Sequence, residues 1–379
     1  MTELQARRAI GMFNPNSKFG GYSYIDEFLD LEARIGKGFY YVNLYDENIK
    51  ASLIDAPQGV ILVTNAYVSS TAYNIILAWL FEFRRNNGAV SEASPLVKYN
   101  VKKFFGEQLI HQYNNVFSRA IFLETLLYEE QQMRPVFALM DADPAWKATA
   151  QSIAEVMGNL IMFHETGHYY FKYLPEMCNE LVEHYGEVAK EFVDSVRREF
   201  NPGFSEEVFC DVFAILFRMI DDENDEAAIT FTLRSAVMGY SIFALLWSLE
   251  KSVQKTADKQ SKEPDVITLI SFERSTQEYS YEPAAAEEMI ERARLVTVLC
   301  EQLASVHGVN LYGQDGLLPL RQGTLLYFLN YVNHVIETDQ PEQRGMARLV
   351  AESLHGHLDG LQYLYLHSKV FNSPRPLTL

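Results

Sequence analysis

Two histidines four residues apart, with a glutamate after the first, are the side chains in this sequence best suited to chemistry. They lie in the run His164-Glu165-Thr166-Gly167-His168. Each residue of an α-helix turns the chain by about 100°, so residues four apart leave the same face and both imidazoles can bind one metal ion. Glu165 then lies beside the metal without binding it, where its carboxylate can take a proton from a water molecule. The run therefore predicts a zinc site with Glu165 as general base.

The surrounding residues predict that this run is helical. Asp143 and Pro144 are typical of the N-cap and the first position of a helix. Apolar side chains and the first histidine follow at helical spacing, at Trp146, Ile153, Val156, Met157, Leu160, Ile161 and His164. The alternative interpretation is a buried structural helix whose histidines pair with neighbours and whose glutamate points outward.

A catalytic zinc site needs a third protein ligand and an open position for water. Acidic residues follow the breaker Asn201–Gly203, where Ser205 is suited to cap a second helix with Glu207 and Asp211 one turn apart on one face. We predict Glu207 as the third ligand and Asp211 as the carboxylate that accepts the free ring N–H of a ligand histidine. Glu206 is the alternative ligand. The simpler interpretation is that acidic residues stabilise a helix N-terminus.

This combination resembles the gluzincin zinc metallopeptidases, the thermolysin-like group with a His-Glu-x-x-His helix and a later Glu-x-x-x-Asp helix. The resemblance covers residues 145–220 and rests on His164, Glu165, His168, Glu207 and Asp211. It implies zinc as cofactor, a polypeptide substrate, and an Asp211 carboxylate that holds His164. The Gly-x-x-His and methionine turn of metzincins do not follow His168, which disfavours that branch. The small residue usual before the aspartate is Cys210 here.

The resemblance also implies an edge strand before the active-site helix, to which an extended substrate adds. Gly59–Thr64 is the best candidate, after Phe39–Val42 and Ala51–Ile54 in a predicted antiparallel meander. The alternative is a plain structural strand. Helical patterns around 70–86 and 101–130 lie between this strand and the helix that carries the two histidines.

The oxyanion formed during carbonyl attack needs a donor besides zinc. Candidates are Tyr240 and Arg234 in an apolar helix from about 229 to 249, and His184 between the two metal helices. Each also has a structural interpretation, as a satisfied buried tyrosine, a paired arginine or a surface histidine. His355 and His357 are two apart, so they diverge on a helix and do not predict a metal site.

Composition limits the class of protein. The 379 residues carry a net charge of −18 and no basic cluster, which argues against a nucleic-acid partner. Cys178, Cys210 and Cys300 are far apart and suit free thiols in a reducing compartment. The first apolar run is too short for a signal peptide, and Ala236–Leu249 is too short for a membrane span. We predict a cytoplasmic protein without a membrane partner.

Breakers and charge predict the organisation of the chain. A short helix near 24–35 ends at Gly36, Pro283 begins a helix that Gly308 ends, and further helices cover 324–337 and 341–365. The predicted regions are an N-terminal part (1–135), the catalytic helices (136–250), a polar linker (251–265) and a helical C-terminal part (266–379). We predict an α+β, predominantly helical fold with a zincin-like catalytic core and a small antiparallel sheet. The predicted function is zinc-dependent peptide hydrolysis; a zinc hydrolase of non-peptide amides and a non-catalytic helical interaction protein are the alternatives.

Overall fold

The computed structural model describes most of the chain and divides it into two compact units. The described residues are 1–13, 18–45, 51–85, 99–100, 103–104, 130–141, 144–220, 222, 225–260 and 283–311. The first unit combines Met1–Ser69, Gln151–Ser241 and Ile290–Gln322, and the second combines Ser70–Ala150, Ile242–Met289 and Gly323–Leu379. All residues of the predicted zinc site belong to the first unit. The four consecutive regions predicted from the sequence stay a prediction.

A four-stranded sheet lies in the first unit. Its strands are β1 (Lys18–Ile25), β2 (Phe39–Tyr45), β3 (Ser52–Ala56) and β4 (Gly59–Asn65), in the order β1-β2-β4-β3. β2 and β4 pair in parallel, and the two outer pairs are antiparallel. The sheet is therefore mixed, and the predicted antiparallel meander is wrong. β4 is also not an edge strand, since it lies between β2 and β3.

The residues of β4 explain its central position. Every residue from Gly59 to Asn65 is buried, and a continuous apolar run is typical of a strand covered on both faces. The chain passes from β2 out to β3 and returns through a tight turn to fill the place between them. Among the described strands, β1 and β3 are the outer ones.

Helices make up most of the described structure, as predicted. They are α1 (Glu3–Phe13), α2 (Leu29–Ile35), α3 (Ala66–Arg85), α4 (Glu130–Asp141), α5 (Pro144–Tyr173), α6 (Pro175–His184), α7 (Gly186–Glu199), α8 (Pro202–Ile220), α9 (Glu226–Gln260) and α10 (Pro283–Val306). Four of these begin at a proline, which suits the first helical position because it lacks an N–H that would otherwise be unpaired.

Several helix boundaries match the sequence. α2 ends at Gly36 and α10 is followed by Gly308, both with positive φ, and the predicted helices at 70–86 and from Pro144 correspond to α3 and α5. The predicted helix near 24–35 starts too early, because Tyr24 and Ile25 belong to β1. Most of 101–130, the helices at 324–337 and 341–365, and both His355 and His357 lie outside the described residues.

The polar segment predicted as a linker is helical over its described part. α9 continues through Lys251 to Gln260, and 261–265 lie outside the described residues. Asp225 caps the start of this helix by accepting hydrogen bonds from the backbone N–H groups of Ala227 and Ala228. Within the described residues, one stretch, Glu226–Ala244, has the length and composition of a membrane span, and 72% of it is buried inside the protein.

Aromatic side chains fix α5 and α8 in the first unit. Phe28 is fully buried and its ring contacts the rings of Phe39 on β2, Phe163 and Tyr170 on α5, and Phe217 on α8. Phe163 and Tyr170 are two helical turns apart and therefore share one face of α5. That face determines the rotation of α5 about its axis and thus the direction in which its histidines project.

Candidate metal centre

α5 presents both motif histidines on one side, as the spacing predicts. The centroids of the His164 and His168 rings are 5.3 Å apart and the ring planes are nearly perpendicular. The side chain of His164 is 10% exposed, whereas that of His168 is 28% exposed. The pair therefore spans the boundary between the interior and the solvent, which gives a small molecule access to one side of it.

The N-cap of α8 lies four residues earlier than predicted. Asn201 accepts a hydrogen bond of 3.0 Å from the backbone N–H of Phe204 through its side-chain oxygen, so Asn201 and not Ser205 caps the helix. The Ser205 hydroxyl is buried and lies within hydrogen-bond distance of two carbonyl oxygens, those of Val196 and Phe200, at 3.3 and 3.4 Å. Glu207 and Asp211 are four residues apart within α8 with either cap, so they still share one face.

A glycine inside the motif lets α8 approach α5 closely. A Cβ atom at Gly167 would lie 3.2 Å from Cδ1 of Phe213 and 3.4 Å from Cα of Cys210. Such a distance to Phe213 is tighter than ordinary packing. Gly167 therefore brings the carboxylates of α8 within reach of the histidines of α5.

Donor atoms of His164, His168 and Glu207 converge closely enough for one metal ion to bind all three residues. Nε2 of His164 lies 3.4 Å from Oε2 of Glu207, and Nε2 of His168 lies 3.6 Å from Oε1 of the same carboxylate. Zinc bonds to nitrogen and oxygen of about 2.0–2.2 Å place tetrahedral ligands roughly 3.3–3.6 Å apart. One atom from each of the three residues lies within 4.8 Å of the other two. The residues present fit a zinc ion.

Each histidine pairs its other ring nitrogen with a carboxylate. Nδ1 of His164 lies 2.7 Å from Oδ1 of Asp211, and Nδ1 of His168 lies 3.1 Å from Oε1 of Glu206. Such partners hold a proton on Nδ1 and leave Nε2 for a metal. Asp211 thus lies where the sequence predicts it. Glu206, considered from sequence as an alternative ligand, instead contacts the outer nitrogen of His168.

Asp211 is the most buried acid of the cluster. It is 0% exposed, and its Oδ1 accepts hydrogen bonds of 2.7 Å each from the Tyr240 hydroxyl and from Nη2 of Arg292. Oδ2 accepts a further hydrogen bond of 2.8 Å from Nε of Arg292. A buried carboxylate needs such partners, because an unpaired charge in the interior is strongly destabilising.

Arg292 is not among the residues predicted from the sequence, and it closes the cluster from α10. Its Nη1 donates a hydrogen bond of 2.9 Å to Oε2 of Glu207, and its side chain is 13% exposed. A signal was available in the sequence: Arg292 is four and seven residues before Val296 and Leu299, both buried, and so falls on the apolar face of α10. An arginine on a buried helical face requires acidic partners.

These contacts shift the ionisation of the cluster. Burial alone would lower the pKa of His164, but the charge and hydrogen bond of Asp211 raise it to about 9. Burial acts in the opposite direction on Asp211, where Arg292 and His164 nevertheless hold the pKa far below its usual range. The hydrogen bond with His164 lowers the pKa of Glu207, and burial raises the pKa of Glu165. Glu165 is therefore the more basic of these two glutamates.

The three oxyanion candidates lie in different surroundings. Tyr240 contacts the cluster through its hydrogen bond to Asp211. Arg234 is buried and donates to the backbone carbonyls of Asn310 and Leu311, at 2.7 and 2.8 Å. The ring of His184 packs edge-on against Tyr185. The role of each as an oxyanion donor stays a prediction.

Comparison with known proteins adds no relative. No protein-family model, no curated protein and no solved structure matches the chain. The resemblance to gluzincins therefore rests on the residues of α5 and α8 and on their geometry.

Proposed function

We propose that this chain is a zinc-dependent metallopeptidase of the gluzincin type, with zinc held by His164, His168 and Glu207. The observation that carries the proposal is the convergence of the three ligand side chains with an outer carboxylate on each histidine. Two helical histidines can meet a carboxylate by chance. Pairing of both Nδ1 atoms with carboxylates, however, is the arrangement typical of metal-binding histidines.

The side chains divide the work of hydrolysis among themselves. When bound, zinc lowers the pKa of water and polarises a carbonyl group. Glu165 takes the proton of the attacking water and later gives it to the leaving amine. Its raised pKa suits both steps, since a more basic carboxylate accepts the proton more readily and then acts as the acid. The graded exposure from His164 to Glu207 leaves one side of the cluster accessible to substrate.

Replacing the proposed base tests the catalytic part of the proposal. We expect Glu165→Gln to keep zinc and the fold, because glutamine preserves the shape of the side chain, and to lower peptide hydrolysis by about 10²- to 10⁴-fold. The measurement is the cleavage rate of a peptide library by zinc-loaded parent and variant. Glu155→Gln is a matched control, since Glu155 is a half-buried glutamate on the same helix that accepts a hydrogen bond from Gln151.

The outcomes separate peptide hydrolysis from the alternatives. Parental cleavage by Glu165→Gln contradicts the assigned mechanism. A zinc-loaded parent that cleaves no peptide but hydrolyses other amides favours the non-peptide alternative. A chain that binds no zinc and hydrolyses neither class is a non-catalytic helical protein.

A further inference from the structure

Arg292 connects two acidic side chains of the proposed zinc centre through one planar group. Nε and Nη2 of its guanidinium bind the two oxygens of Asp211, at 2.8 and 2.7 Å, and Nη1 binds Oε2 of Glu207 at 2.9 Å. Asp211 and Glu207 are one turn apart on α8. Arg292 comes from α10, 85 residues further along the chain than Glu207.

One of the two carboxylates contacts a proposed metal ligand, and the other is a proposed ligand itself. Asp211 contacts the outer nitrogen of His164, and Glu207 is itself a proposed ligand. Oε2 of Glu207 accepts this hydrogen bond and also lies 3.4 Å from Nε2 of His164, while Oε1 lies 3.6 Å from Nε2 of His168. The guanidinium is rigid and its donors lie in one plane, so fixing one carboxylate also fixes the other.

We propose, on the basis of the zinc centre proposed above, that Arg292 is a positioning residue that sets the orientation of both Glu207 and the Asp211–His164 pair. α10 thereby takes part in building the metal centre, although no ligand lies on it. Arg292 does not bind the metal. It acts through the two carboxylates that it holds and through the His164 ring, whose Nδ1 and Nε2 lie 3.4 and 3.5 Å from its Nη2.

Charge and geometry predict opposite effects when Arg292 is replaced. The positive charge repels a metal cation, so an arginine that acted through charge alone would weaken metal binding, and its removal would strengthen binding. An arginine that positions ligands strengthens metal binding, and its removal weakens it. Lysine separates the two effects, because its single ammonium keeps the charge but has no planar fork to fit both carboxylates.

The test compares Arg292→Lys and Arg292→Met with the parent. Zinc affinity is measured by competition with a chelator, and cobalt(II) replaces zinc for a visible absorption spectrum that reports the number and arrangement of ligands. We expect both variants to bind zinc about 10- to 100-fold more weakly, the range typical of lost outer partners. We also expect both cobalt spectra to differ from that of the parent.

Two control variants distinguish positioning from the loss of any arginine. Arg294→Met removes an exposed arginine two residues along the same helix, which pairs with Glu291. Arg218→Met removes a half-buried arginine of the same unit, which pairs with Asp222. Both controls are expected to keep the zinc affinity and the cobalt spectrum of the parent.

Each outcome decides the inference. Parental affinity and spectrum in Arg292→Lys contradict positioning and leave charge as the role, as does tighter binding by Arg292→Met. Failure of Arg292→Lys to fold contradicts it as well, since the role is then structural. His164→Ala tests the proposed zinc centre separately from the role of Arg292. If it binds zinc like the parent, the proposed centre is wrong, whereas weak binding by His164→Ala with parental binding by the Arg292 variants rejects the present inference alone.

Discussion

Asp211→Asn is the substitution that most sharply separates the metal role of a residue from its structural role. Four donors reach this buried carboxylate: Nδ1 of His164, the hydroxyl of Tyr240, and Nε and Nη2 of Arg292. Asparagine keeps one acceptor oxygen but places an N–H₂ group where the other oxygen stood. If the remaining oxygen faces His164 and Tyr240, the new amide faces Nε of Arg292, donor against donor.

The burial and the partners of Asp211 set the expected losses of stability and of zinc affinity. Loss of one member of a buried ion pair costs about 3–5 kcal/mol, and the oxygen that remains favours the lower end of this range. We therefore expect the free energy of unfolding of the metal-free variant to be about 3 kcal/mol lower than that of the parent. Zinc affinity should fall by about 10- to 100-fold, because an amide orients His164 less strongly than a carboxylate.

Asp222→Asn is the matched control for this experiment. Asp222 is also a buried aspartate of the first unit, and it accepts hydrogen bonds from Thr232 and Arg218. Its replacement should cost about 1–3 kcal/mol of stability and leave zinc affinity unchanged. The assays are thermal unfolding of the metal-free forms and chelator competition. Equal zinc affinities for Asp211→Asn and the parent refute the reasoning and remove Asp211 from the centre.

Two further predictions concern pH and packing. Because the pKa of His164 is about 9 in the metal-free chain, zinc must displace its proton below that pH; zinc affinity should rise by about tenfold per pH unit from 7 and level off above 9. The same raised pKa stabilises the metal-free fold fully below pH 6.5, and that stability should be lost in thermal unfolding as the pH rises through 9. Zinc affinity that is constant from pH 7 to 9 contradicts this assignment. Gly167→Val should push α8 away from α5, cost about 1–3 kcal/mol and weaken zinc binding. Gly158→Val on the same helix, where an added Cβ meets no atom within 4 Å, should leave zinc affinity unchanged; equal affinities for both variants and the parent contradict the packing argument.

Local sequence patterns predicted the parts of the cluster that lie on α5 and α8. A four-residue spacing determines which side chains share a helical face whatever the tertiary fold, so His164 with His168 and Glu207 with Asp211 could be paired in advance. That the two pairs meet followed from the resemblance to gluzincins. The predicted start of α8 is wrong because Asn201–Gly203 is interpreted as a breaker, although Pro202 after Asn201 also suits the first position of a helix.

Long-range features could not be predicted in the same way. Arg292 reaches the cluster across 81 residues from Asp211, and no motif links the two positions. Strand order is also a tertiary property: β4 was interpreted as an edge strand, although its continuous apolar run was a signal for a central one. Pairing of β2 with β4 required knowledge of where β3 goes.

Zinc content is the most direct test of the central claim. Purified protein, exposed to zinc and then freed of excess metal, should contain about one zinc ion per chain, since one set of ligands converges in the described residues. The double variant His164→Ala/His168→Ala should contain almost none. His307→Ala, a histidine of the same unit that packs against Tyr185, should retain the zinc of the parent. Metal-free parent protein, or a double variant that keeps its zinc, contradicts the account.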